Sequence, residues 1–229
     1  CISAYIVVMW IEFSPAFLEK LGMKDVRQKL NKLLFFFIAL GVLLPSMHQS
    51  SLGSLLVIFG QQIHPLWQSG MLLPVIYLMT AILLGFAVVI FEATLSSTGF
   101  GRPLETQVLT PLSKIMFWLL AAYVVLRVLD LVFRGALGGA FAASWQAFWF
   151  WVEMAAPLVL LSTEQARRSA AKLFAAAVLL MLGGMLLRIN GFLVGYMTGD
   201  GWSYFPSFAE LMVTVGIIAF EILAYIVIV

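Results

Sequence analysis

Long apolar runs recur along this chain, about seven of them, each near the roughly 20 residues that an α-helix needs to cross the hydrocarbon of a bilayer. Residues 71–91, for example, carry no charged side chain at all. A water-soluble domain has nowhere to hide so many. It also needs about a quarter of its residues charged to cover its surface, whereas here 10% are charged and 63% hydrophobic, with a mean hydropathy of +1.06. The expected fold is all-α: a polytopic transmembrane helix bundle forming one transmembrane domain over residues 1–229. Spans are expected at about 1–18, 30–47, 71–96, 110–134, 143–163, 171–193 and 208–229. The apolar stretch 51–60 is too short to cross and reads as a re-entrant or surface segment. Pro45, Pro74 and Pro157 are candidate kink sites.

Cys1 is the only cysteine, so an internal disulfide and a Cys/His metal cluster are both excluded. The chain opens directly inside an apolar run without a basic leader, and it is read as a fragment of a longer subunit. The formal net charge of +2 is too small to suggest a nucleic-acid partner; membrane lipid is the expected surrounding.

The distribution of charge says more than its sum. Lys20, Lys24, Arg27, Lys29 and Lys32 lie between the first two spans, Arg102 and Lys114 between the third and fourth, and Arg167, Arg168 and Lys172 between the fifth and sixth. These alternate linkers hold ten of the thirteen basic residues. The positive-inside rule then puts them, and the C-terminus, in the cytoplasm. Trp67, Trp145, Trp202 and Tyr204 suit an aromatic belt on the other side.

Charges inside spans are costly, about 2.5–3.5 kcal/mol each at mid-bilayer on insertion scales, so each asks for a reason. Glu12 and Glu92 read as carboxylates snorkelling to the cytoplasmic surface. Arg127, Asp130 and Arg134 follow an i, i+3, i+7 spacing that places them on one helix face. They form either an ion pair that fixes packing, with Asp130 bonded to one arginine or the other, or a polar track for protons or headgroups. Glu153 and Arg188 can converge on the same cluster, and Glu221 lies deep in the last span. The segment 44–54, with His48, Gln49 and four serines, reads as a polar closure of the second helix. It is either ordinary capping or a pocket able to hydrogen-bond a carbonyl or hydroxyl. Haem is not expected, because the only histidines, His48 and His64, sit near one loop rather than facing each other across a bundle.

The runs Glu12-Phe13-Ser14-Pro15-Ala16-Phe17, Leu44-Pro45-Ser46-Met47-His48-Gln49-Ser50-Ser51-Leu52-Gly53-Ser54, His64-Pro65-Leu66-Trp67-Gln68-Ser69 and Glu221-Ile222-Leu223-Ala224-Tyr225 closely resemble the NrfD/PsrC-like family. The branch they resemble most serves hydrogenase-2-type nickel–iron enzymes, and the likeness covers essentially the whole chain. It implies a ten-helix subunit of a bacterial or archaeal cytoplasmic membrane, of which this chain would be the last seven helices. It also implies electron exchange between membrane quinone (menaquinone or ubiquinone) and a ferredoxin-like iron–sulfur subunit on the extracytoplasmic side. That subunit carries the clusters and connects to the catalytic subunits of a hydrogenase-type complex. The family subunit itself usually holds no metal, so no haem and no catalytic residue are expected here. The family's quinone site lies mainly in the first four helices, only one of which would be present. His48, Gln49, Trp67 and Tyr204 are therefore carried as second-wall quinone-pocket candidates. Arg127, Asp130, Glu153, Arg188 and Glu221 are proton-path candidates. A secondary transporter and a purely structural membrane anchor are the rival readings.

Overall fold

Every expected span is a helix in the computed structural model, which describes residues 2–101, 103, 106–197, 199–200 and 206–228, with Glu221 described by its backbone alone. The helices are α1 (Ile2–Lys20), α2 (Lys24–Ile58), α3 (Leu73–Phe100), α4 (Thr106–Phe133), the short α5 (Leu137–Ala140), α6 (Trp145–Leu161), the short α7 (Glu164–Arg167), α8 (Ala170–Ile189) and α9 (Phe208–Ile228). A backbone in hydrocarbon must satisfy its own N–H and C=O groups, which is why apolar runs of this length become helices. Five of them, α1 to α4 and α8, are long and apolar enough to cross a membrane. At 17 residues α6 stands at the short end of the spanning range. Gly101, at φ 61°, and Gly135, at φ 67°, take the left-handed conformation that ends α3 and α4 without a Cβ penalty. Ser144 caps α6 by accepting the Ala147 N–H at 3.2 Å.

The stretch 51–60 departs from expectation: it is neither re-entrant nor a separate surface helix. Residues 51–58 are the last turns of α2, so the polar cluster at 46–54 does not close that helix. The serines account for this. Ser46 Oγ donates to Val42 O at 2.8 Å and Ser54 Oγ to Ser50 O at 3.0 Å, so they bond back into the helix instead of diverting its backbone. With 35 residues, α2 is about 52 Å long at 1.5 Å per residue, and its lysine-bearing start extends past the hydrocarbon. Pro45 lies within it, whereas Pro74 sits in the first turn of α3, where its missing N–H costs nothing.

Packing divides the helices into two groups. α3 touches α2, α4 and α8, while α6 packs on α8 and α4; α1 touches α2 from outside. The core runs through α3, α4, α6 and α8, with Ile76, Ile90, Met116, Leu131, Phe150 and Ala176 among its fully buried side chains. Close approach depends on glycine at two contacts. A Cβ on Gly53 would lie 2.5 Å from Leu73 O, and one on Gly183 would lie 2.8 Å from Glu153 O. Between helices in lipid such small residues let backbones meet, where burial of apolar surface supplies no drive. The outward faces carry large apolar side chains such as Phe35, Phe133 and Trp118; acyl chains, not water, are their natural solvent.

Two placements revise the sequence reading. Trp67 is 3% exposed and points into the bundle, so it is no belt residue, whereas Trp145 is 64% exposed and free to sit at an interface. Glu12 does not snorkel; its Oε1 is buried against α2, where a Cβ on Gly41 would collide with it. Trp202 and Tyr204 lie outside the described residues.

Candidate functional site

The connection between α2 and α3 turns inward instead of lying over the surface. Ile63, Leu66, Trp67 and Ser69 are all buried. Non-helical backbone inside a membrane protein is tolerated only where protein satisfies its polar groups, and here Arg127 of α4 and Arg134 just past its end do much of it. Arg127, 1% exposed, donates Nη2 to Leu66 O and Nη1 to Ser69 Oγ, and its guanidinium lies 5.4 Å from the centre of the Phe150 ring. Arg134 donates Nη1 to Pro65 O at 3.0 Å. From the other side, His64 N donates to Gly195 O at 2.8 Å and Met197 N to Gln62 O at 2.5 Å. The segment is thereby tied to the chain that follows the π-helical turn Asn190–Val194.

Of the two arginines open to Asp130 by spacing, the structure selects Arg134. Its Nε and Nη2 meet Asp130 Oδ2 at 3.0 and 2.5 Å. Arg127 is left to the loop, with its Nε buried and unbonded. Glu153 on α6 is held by neutral donors, Trp67 Nε1 to Oε2 at 3.3 Å and Asn190 Nδ2 to Oε1 at 2.7 Å. Arg188 stands apart from this group. It donates to Gln49 Oε1 at 2.8 Å and Gly184 O at 2.9 Å, and lies 5.6 Å from the Tyr77 ring centre.

The expected residues therefore meet in part. Arg127, Asp130, Glu153 and Trp67 gather around residues 65–69, and Gln49 joins Arg188 across α2 and α8. His48 is half-buried on α2 and takes no part in these hydrogen bonds. The Glu221 side chain and Tyr204 lie outside the described residues. Ser69, Asn190 and Tyr123 were missed by the sequence reading. Asn190 left a signal, a polar residue two positions after Arg188 at the end of an apolar run; Tyr123 left none. Beside the Asp130–Arg134 pair an open recess of about 770 Å³ is lined by Phe59, Gln62, Gln68 and Arg134, among others.

His64 lies outside the spans, and burial pushes its imidazole below the usual histidine range, while its Nδ1 accepts the Leu66 N–H at 3.3 Å. The neutral ring is the folded form. The unfolded chain binds a proton at this site first as pH falls, so the contribution of His64 to stability is complete above about pH 6.5 and is lost below it. The expected result is an unfolding midpoint that drops on acidification from neutral pH. His64→Asn, whose side-chain oxygen can accept the same N–H two residues on, should flatten that part of the slope. Identical pH profiles for the two proteins in thermal melts would remove His64 from the account.

Fold and site together define a class: a multi-pass helical membrane protein with a buried cluster of charges around an inward-turned loop. Particular relatives narrow it. The chain is 43% identical over 234 residues to the "Probable Ni/Fe-hydrogenase 2 b-type cytochrome subunit" of Escherichia coli, matching 100% of this chain and 60% of that protein. It is 25% identical over 255 residues to the "Menaquinone reductase, integral membrane subunit" of Nitratidesulfovibrio vulgaris, across 97% of this chain and 60% of the relative. A second protein of that organism, whose name states no function, is 30% identical over 98% of the chain. The resemblance read from the motifs thus holds over the full chain, which spans about three fifths of the length of these relatives. No family model matches the chain, and no solved structure matches it.

These relatives overturn one expectation. The reading that haem is not involved does not stand, because the Escherichia coli protein is named a b-type cytochrome subunit, and haem is suggested by that name. Among the described residues no group of three or more His, Cys, Asp or Glu side chains is placed to hold a metal ion. The imidazoles on hand, His48 on α2 and His64 just after it, stand on consecutive segments and not on facing helices, so they do not make the opposed pair that a two-histidine haem uses. No step below is routed through haem.

Proposed function

We propose that this chain is part of the membrane subunit of a respiratory redox complex. It would exchange electrons between membrane quinone, menaquinone or ubiquinone, and an iron–sulfur partner on the extracytoplasmic side, in a hydrogenase-type assembly. The names of the relatives support hydrogenase and menaquinone chemistry; the orientation rests on the lysine and arginine distribution, with the C-terminus in the cytoplasm of a bacterial or archaeal cell. In this reading the chain is the later part of a ten-helix subunit, and further helices complete the quinone site.

One observation carries the reading: Arg134, held by Asp130, stands at the wall of the open recess at the end of the bundle where the buried charges converge. Its volume lies within the roughly 300–1,000 Å³ usual for small-molecule sites. A quinone ring offers two carbonyl acceptors, and Arg134, Gln62 and Gln68 offer donors. Quinone reduction also consumes protons. Asp130, Glu153, Arg127, Arg188 and Glu221 are the proposed groups for holding or positioning protons, and His48, Gln49, Trp67 and Tyr204 remain candidates for a second wall of the quinone site. Arg127 serves here by its charge and its grip on the loop, since a guanidinium does not give up its proton.

Asp130→Asn removes the negative charge that holds Arg134 and any proton-carrying role of the carboxylate. The expected outcome is quinone-linked turnover lowered by about a hundredfold, the low end of what a positioned proton-transfer group contributes. Dye-linked activity of the catalytic partner should be unchanged. Wild-type rates in both assays would end the proposal for Asp130.

A further inference from the structure

Glu153 is gripped in a way that makes its two oxygens unequal. Oε2 faces Trp67 Nε1 at 3.3 Å. An indole N–H can only donate, so this oxygen must remain an acceptor in either protonation state. Oε1 faces Asn190 Nδ2 at 2.7 Å, and an amide can turn to present its oxygen instead. A proton on Glu153 therefore has one place to reside, Oε1.

Next to this carboxylate, α3, α4, α6 and α8 fail to close. The gap they leave is lined by Glu153, Tyr123, Thr80 and Gly183, with leucines completing its wall. It offers about 20 Å³ to the centre of a water molecule, and about 10–15 Å³ is what one water needs. Gly183 lines it on the α8 side, at the point where the α6 and α8 backbones meet. Thr80 donates its hydroxyl hydrogen to Tyr77 O at 3.0 Å, which leaves its lone pairs to accept. Tyr123 supplies a hydroxyl that can do either. Buried waters typically make about three hydrogen bonds, and three polar groups line this cavity.

We infer that the cavity seats one water between Glu153, Tyr123 and Thr80, and that Glu153 with this water forms a proton store inside the bundle. When an excess proton reaches the water, one O–H bond of the resulting hydronium breaks as the Glu153 Oε1–H bond forms. The water is left neutral and the carboxylate becomes a carboxylic acid; release reverses the step, and no electron moves. The ionisable groups acting on the site are Arg127, Tyr123, Tyr77 and Arg188. Trp67 and Asn190 are positioning residues: they fix which oxygen takes the proton. This deepens the proton role proposed for Glu153 above, and its test is chosen to stand apart from quinone chemistry.

Infrared difference spectra of the intact complex in lipid nanodiscs, recorded across the pH range in which it stays folded, read the store directly. A carboxylic acid C=O band should appear that shifts in D₂O and is absent in Glu153→Gln. Trp67→Phe should move its frequency without removing it. Thr80→Val and Tyr123→Phe should slow hydrogen–deuterium exchange at that band by roughly a hundredfold, in the range expected for loss of a positioned proton-transfer partner. Thr80→Val keeps the test open where Tyr123→Phe fails to assemble. No band assignable to Glu153 at any pH, or unchanged exchange in the hydroxyl variants, would overturn the inference. Quinone-linked turnover of Glu153→Gln separates the two readings. A band and exchange as expected, with turnover at the wild-type rate, would leave the store standing and detach it from quinone chemistry.

Discussion

Arg127→Ala is expected to lower the unfolding free energy by about 3–6 kcal/mol, the loss of two hydrogen bonds made by a buried charged donor. The reason is the loop and not the helix. Arg127 reaches from α4 to Leu66 O and Ser69 Oγ, and hydrogen bonds from a charged donor contribute about 1.5–3 kcal/mol each. Without the guanidinium, the Leu66 carbonyl is buried with no donor, which costs about another 1–3 kcal/mol, and Phe150 loses its stacked cation. Arg127→Lys should recover only part of the loss, because an ammonium is a point donor and not a planar fork able to reach both acceptors. Denaturant titration in mixed micelles, together with protease cleavage within residues 64–69, would measure it. A variant as stable as wild type with a protected loop would show that the segment holds its inward turn by packing alone.

Gly183→Val is expected to be the next most damaging change. A Cβ at this position would stand 2.8 Å from Glu153 O and 3.3 Å from Glu153 Cα. These are backbone atoms of the facing helix, so no side chain can swing aside. α6 and α8 must separate, at a cost of about 3 kcal/mol, near the upper end of overpacking losses. The same displacement carries Glu153 away from Trp67 and Asn190, so quinone-linked turnover should fall along with stability. Gly85→Ala on α3 is the matched control. Its Cβ would meet nothing within 4 Å, and replacing a mid-helix glycine gains about 0.5–1 kcal/mol in helix propensity. Equal melting points for the two variants would refute the close α6–α8 contact.

The relation between Asp130 and its two arginines shows how far sequence reasoning reaches. The i, i+3, i+7 spacing of Arg127, Asp130 and Arg134 put all three on one helix face; Arg127 and Asp130 stand on α4, and Arg134 follows directly after its last residue. Which arginine takes the carboxylate depends on where the loop carbonyls fall. Leu66 O and Ser69 Oγ draw Arg127 away, and Pro65 O lies where Arg134 can serve it and Asp130 together. The turns 51–58 failed for a related reason. Serines and a glycine look like an interruption in composition, yet in apolar surroundings their hydroxyls bond back into α2, and the helix continues.

Hydrocarbon length and the scarcity of charge were enough, from residues alone, to require membrane-crossing helices, to place nearly all of them, and to pick out Arg127, Asp130, Glu153 and Arg188 as groups needing partners. Those properties are local: a run either can or cannot shed its polar backbone into its own helix. The partners themselves were decided only in three dimensions. Trp67 and Asn190 lie 86 residues before Glu153 and 37 residues after it in sequence, and no periodicity links them. They meet because the loop after α2 folds inward, its buried carbonyls are met by arginine donors, and two glycines let the backbones of neighbouring helices touch.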